Sequence, residues 1–175
     1  MAPQSEKYIR LAAIDVDRVT VHNMIQTCAE QQQEVQSFLR SIGVSPNDTA
    51  PFPAKEFVVR THVTMAHPSQ QKQEDMQSMY GALVGLSINL SVKGLLWNDH
   101  IVALAVEVPT HTTNEGEEPK PVPAGQNEFT HITLWHDSTT KAYESNKLPG
   151  LVEKKQAQQL MFDTKFTLPG VFCFW

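Results

Sequence analysis

Thr61-His62-Val63-Thr64-Met65-Ala66-His67 recurs as Thr130-His131-Ile132-Thr133-Leu134-Trp135-His136. Four of the seven positions are identical, Val/Ile and Met/Leu are near-equivalents, and the copies start 69 residues apart. Each follows an apolar, β-branched or aromatic lead-in, so each reads as a strand. Side chains alternate along a strand. His62 and Thr64 then share a face with Arg60 and Ala66, while Val63 and Met65 point to the core. In the second copy His131 and Thr133 share a face with Phe129 and Trp135, while Ile132 and Leu134 point to the core. The repeat implies two similar lobes, each presenting a His-x-Thr to a common cleft.

The pattern His-x-Ser/Thr is weak on its own. Seven histidines, ten serines and fourteen threonines in 175 residues make about one match expected by chance. His111-x-Thr113 and His136-x-Ser138 also match, but the first lies in a Pro/Glu-rich loop and the second opens on a turn. Matching strand context is what singles out His62, Thr64, His131 and Thr133. The alternation puts His67 and His136 off that face or past the strand ends, so both drop out. That weakens a zinc site built on the two H-x-x-x-x-H spacings, and no carboxylate is fixed within either motif strand to orient such ligands.

The remaining segments surround these strands. Residues 8–16 (YIRLAAIDV) read as a buried first strand, and Asp17 is an N-cap candidate. Apolar residues at Val21, Met24, Ile25, Cys28, Val35, Phe38, Leu39 and Ile42 predict one amphipathic helix over 18–42, ended by Gly43. Three prolines make 45–53 a loop, and the first motif strand is expected over 56–66. Residues 70–83 read as a second helix, and 86–97 with 100–108 as a hairpin. Residues 109–127 have no apolar period and are expected to be a flexible loop. The second motif strand is expected over 129–135. A polar loop over 137–146, a helix over 148–160 and two strands around Pro169-Gly170 complete the chain. Meandering strands with segregated helices predict an α+β domain over 1–175, with antiparallel sheets and a central cleft.

A composition of 41% apolar and 19% charged residues fits a globular protein. No apolar run reaches the roughly 18 residues of a membrane span. The polar N-terminus has no signal-peptide core, and two lone cysteines make no disulfide framework. The expectation is an intracellular protein, cytoplasmic or nuclear. A net charge of −5 argues against coating long nucleic acid, whose affinity depends on phosphate contacts. It leaves open recognition of one terminal phosphate. Phosphate-loop, dinucleotide-binding, serine-hydrolase and zincin signatures are all absent.

His62-Val63-Thr64 and His131-Ile132-Thr133, in an α+β chain of this length, resemble the 2H phosphoesterases. The stretch Thr139-Thr140-Lys141-Ala142-Tyr143-Glu144-Ser145-Asn146-Lys147-Leu148 is similar to the corresponding segment of the cyclic phosphodiesterase domain of fungal tRNA ligases. The resemblance implies two pseudo-symmetric lobes and an RNA substrate with a 2′,3′-cyclic phosphate end, such as a tRNA exon half or spliced mRNA exon. It implies hydrolysis to a 2′-phosphate in tRNA splicing or RNA repair, with neither metal nor cofactor. His62 and His131 would be acid and base, and Thr64 and Thr133 would hold the phosphate. It also implies ligase and kinase domains elsewhere in the same polypeptide. Lys141 and Ser145 lie in the similar segment and are candidate substrate contacts. Trp135 is a candidate base-stacking residue or a core aromatic; Tyr80 and Trp97 are assigned to the core.

Three alternatives stay open on sequence. One is another 2H activity: a 3′–5′ RNA exonuclease, a 2′–5′ phosphodiesterase or a bacterial-type RNA cyclic phosphodiesterase. The others are a module that binds phosphorylated ends without turnover, and a histidine metal site.

Overall fold

The computed structural model describes residues 8–41, 58, 60–113 and 115–175. Gly43, the 45–53 loop and the expected strand start at 56–57 lie outside the described residues. The first strand, β1, is Ala12–Val16, and helix α1 is Arg18–Gln31. Asp17 caps α1, its carboxylate accepting from the Thr20 N–H at 2.8 Å. The helix buries Val21, Met24, Ile25 and Cys28.

The single helix expected over 18–42 is two helices. Gln32 is extended (φ −135°, ψ 115°), and α2 starts after it, over Gln33–Ser41. The break falls in the glutamine run, where no apolar side chain holds the helix to the core. Val35 in α2 rejoins that core and is fully buried.

Strand β2 is Thr61–Ala66 and α3 is Gln73–Tyr80, continued by a 3-10 turn at Gly81–Leu83. The hairpin is β3 (Ser87–Trp97) and β4 (Ile101–Glu107). The second motif strand, β5, is His131–His136. A 3-10 segment at Ala142–Lys147 leads into α4, Leu148–Glu153. The helix expected over 148–160 stops early: Lys155 has a left-handed backbone (φ 59°), and strand β6 runs over Gln158–Phe174.

The fold is α+β, but its strands form one closed barrel rather than the sheets of two lobes. The order is β1-β2-β5-β4-β3-β6, with every neighbouring pair antiparallel. β6 effects the closure. It pairs with β3 along most of its length and with β1 over its last five residues. Two strands were expected around Pro169-Gly170, yet the chain passes through as one. Pro169 lies opposite Asn89 of β3 but beyond the end of β1. Its missing N–H is tolerated where a strand flanks it on one side only.

The alternation read from sequence fills the barrel. Ile14, Leu90, Leu104 and Leu168 join Val63, Met65, Ile132 and Leu134 in one buried cluster. Each such side chain contributes about 1.5–3 kcal/mol on burial. A smaller cluster on the opposite face joins Leu96, Ile101, Ala103 and Leu148, so α4 covers the back of β3 and β4. Backbone bonds tie residues 109–113 and 115–127 to one another and to β2, among them Val122 N–H to Thr110 O (2.8 Å) and Gln126 N–H to Met65 O (2.8 Å). Among the described residues no helix is long and apolar enough to cross a membrane.

Candidate active site

The two motif strands are neighbours, paired antiparallel through Val63 and Ile132. That register sets His62 across from Thr133 and Thr64 across from His131. A local two-fold axis thus passes through the Val63–Ile132 pair. Because those two side chains face the core, the histidines and threonines emerge together on the other side. All four line one cavity of about 510 Å³, a size suited to a nucleotide-sized ligand.

Each histidine is held from behind by the carbonyl two residues earlier. His131 Nδ1 lies 2.7 Å from Phe129 O, and His62 Nδ1 lies 3.4 Å from Arg60 O. A carbonyl can only accept, so Nδ1 carries the proton and Nε2 is the basic nitrogen of each neutral ring. Phe129 stacks on His131 with centroids 4.9 Å apart. Burial pushes both imidazoles below the ordinary histidine pKa. For His62 the carbonyl bond and Asp15 oppose that shift, while Arg60 and His131 add to it.

The threonines differ in support. Thr133 Oγ1 donates to Ala142 O at 3.3 Å and lies 2.8 Å from Ser145 Oγ. With that proton engaged, Ser145 is the donor to Thr133. Ser145, a candidate substrate contact on sequence, is fully buried behind Thr133 and does not line the cavity. Lys141 is exposed and does not line the cavity. Its backbone N–H instead binds the Glu144 carboxylate at 2.8 Å, starting the segment that carries Ser145.

Trp135 is also displaced from the expected face. Val102 pairs with Trp135 and Ala103 with Thr133, leaving Leu134 as the extra residue of a β-bulge. A bulge resets the alternation. Leu134 is buried and Trp135 packs against the main core. Tyr80 is buried and Trp97 packs against the same core, as assigned.

A sequence model of the fungal tRNA ligase phosphodiesterase domain matches residues 2–172. The chain belongs to that family. It is 28% identical over 172 residues to tRNA ligase 1 of Arabidopsis thaliana, covering 96% of this chain and 14% of that protein. The chain therefore spans about one-seventh of the length of that relative. In fold it is similar to a solved structure of a fungal RNA kinase, with a TM-score of 0.67 at 13% identity, covering 99% of this chain and 47% of the other.

Further residues reach the cavity. Arg60 lines it with its Cζ over the Trp175 ring, 3.6 Å from the centroid, while its Nε pairs with Asp15 at 3.3 Å. Trp175 meets the His62 ring edge-on at 4.4 Å. No spacing in the sequence links residues 62 and 175; strand closure at β6 joins them. Tyr143 and Asn146 supply another wall, from the segment that resembles the fungal domain. His67, which the alternation sets aside, lines the cavity too. It follows the last residue of β2, where the strand rule no longer applies. A signal was present but not weighed: His67-Pro68-Ser69 is a further match to His-x-Ser/Thr. His136 does not line the cavity; its Nδ1 lies 3.0 Å from Asp137 O. A larger cavity, about 700 Å³, lies between α3 and the chain end, with Glu74, Gln77 and Trp175 in its wall. No histidine lines it.

Proposed function

We propose that this domain hydrolyses RNA 2′,3′-cyclic phosphate ends to a 2′-phosphate and a 3′-hydroxyl, by two-histidine catalysis of the 2H type. The observation that carries the reading is the Val63–Ile132 register, which sets two His-x-Thr pairs about a local two-fold axis in one cavity. Family membership supports RNA-end processing in tRNA splicing.

The reaction is an in-line displacement at phosphorus. His131 Nε2 takes a proton from water as the water oxygen bonds to phosphorus. The P–O3′ bond breaks on the opposite side, and His62, which enters as the imidazolium, gives its Nε2 proton to the departing O3′. Two histidines suit these roles because imidazole exchanges protons near neutral pH. The two-fold arrangement supplies one on each side of the phosphorus. Thr64 and Thr133 donate to the non-bridging oxygens, where charge builds up. Thr133 can exchange its 3.3 Å bond to Ala142 O for a phosphate oxygen while Ser145 keeps it oriented.

Incubating the protein with an oligonucleotide ending in a 2′,3′-cyclic phosphate, in the presence of a chelator, tests the reading. The expected product is a 2′-phosphate on RNA of unchanged length. His62→Ala and His131→Ala should each lower the rate by about 10²–10⁴-fold. Shortened RNA would point to an exonuclease, and near-normal hydrolysis in either variant would sink the two-histidine mechanism. In a longer polypeptide, ligase and kinase domains would supply most of the RNA affinity that a chain of net charge −5 lacks.

A further inference from the structure

We propose that His67 and Asn127 form a second phosphate subsite in the same cavity, taking the 5′-phosphate of the terminal nucleotide, which in RNA is its link to the preceding nucleotide. The inference rests on the cyclic phosphodiesterase reading of the cavity and adds a recognition element to it.

The argument starts from hydrogen-bond direction. The Ser69 backbone N–H donates to His67 Nδ1 at 3.1 Å, and Ser69 Oγ lies 2.8 Å from the same nitrogen. A backbone N–H can only donate, so Nδ1 is an acceptor and the neutral ring carries its proton on Nε2. This is the opposite tautomer from His62 and His131. In its neutral form His67 therefore offers the cavity a donor, where the neutral rings of His62 and His131 present an unprotonated Nε2.

The neighbouring groups are arranged in the same sense. The His67 N–H donates to Gln70 Oε1 at 3.1 Å, and Gln70 Nε2 donates to Asn127 Oδ1 at 2.8 Å. The amide acceptors on this wall are thus used within the protein. What His67 and Asn127 have left to give a ligand is N–H: Nε2–H of the ring and Nδ2–H of the amide. His67, Gln70 and Asn127 all line the cavity that holds the two His-x-Thr pairs. A wall of donors matches a group that only accepts, which describes a phosphodiester better than a base edge, whose donors would go unmet. His67 sits immediately after β2, on the chain that carries His62 and Thr64, so its distance from the reacting phosphate is set by one strand.

A pair of small substrates isolates the effect: a nucleoside 2′,3′-cyclic phosphate and the same molecule with a 5′-phosphate. Wild-type protein should hydrolyse the 5′-phosphorylated form with kcat/KM about tenfold higher, the worth of a hydrogen bond to a charged group. His67→Ala should bring the ratio close to one. His67→Gln should keep most of it, because its amide N–H stands near the position of Nε2. A ratio of rates does not depend on how much of each variant folds. A wild-type ratio near one, or His67→Ala keeping the wild-type ratio, overturns the subsite and leaves the cyclic phosphodiesterase reading standing. Failure of wild-type protein to hydrolyse either substrate or a cyclic-phosphate oligonucleotide overturns both.

Discussion

Burial works against a histidine that must carry a proton, and both His62 and His131 are held below the ordinary value of 6.5, chiefly by desolvation. The direction has a kinetic consequence. A general acid works only while protonated, so kcat/KM should fall on the alkaline side at a pH below 6.5 rather than above it. A pH–rate profile on a cyclic-phosphate substrate measures this, and an alkaline limb well above 7 would contradict it. The same shift has a stability consequence. The unfolded chain binds these two protons first, so stability should decline as pH falls through about 6.5 and level off below the folded-state values. Denaturant midpoints of wild type and His131→Gln between pH 5 and 8 should show a shallower decline in the variant. Orientation at this scale comes from the backbone, through the carbonyls of Arg60 and Phe129. The spacing of two was legible in the sequence; the tautomers, which separate His67 from the other two histidines, were not.

At the scale of elements, β5 departs most from its sequence. Strict alternation puts Trp135 beside His131 and Thr133, but the bulge at Leu134 turns it to the core. A bulge depends on the partner strand, and nothing in residues 131–136 announces it. Trp135→Ala should therefore destabilise the fold by about 3 kcal/mol. Trp135→Phe should leave kcat/KM within about twofold, since Nε1 is buried without a hydrogen-bond partner among the described residues. A thermal melt and a rate assay separate these outcomes, and a large KM increase in Trp135→Phe would restore the base-stacking role. The 3-10 segment Ala142–Lys147 was read as a polar loop. Its Ser145 is a candidate substrate contact by position in the chain, and its burial behind Thr133 comes only from the fold.

At the scale of the whole molecule, closure through β6 carries Trp175 to His62. One close approach in that closure is at Gly170, where an added Cβ would lie 2.4 Å from Ile14 Cγ2 and 3.3 Å from Asp15 O. Gly170→Ala should cost about 1–3 kcal/mol. It should also lower activity, because β1 and the end of β6 would separate and take Trp175 from His62 and Arg60; chemical denaturation with a parallel rate assay checks both. A wild-type denaturation midpoint would mean the contact relaxes without disturbing the barrel. The sequence by itself determined the shared face of each His-x-Thr pair, because period-two alternation is a property of the local backbone and needs no partner until a bulge interrupts it. It also determined most strand and helix positions, where apolar spacing is enough. Which strands pair, where the bulge falls, and how His67 and Trp175 reach the cavity depend on contacts between residues far apart in the chain. The tertiary structure alone decides those, because sheet register and barrel closure are fixed by packing between segments and not by preferences within them.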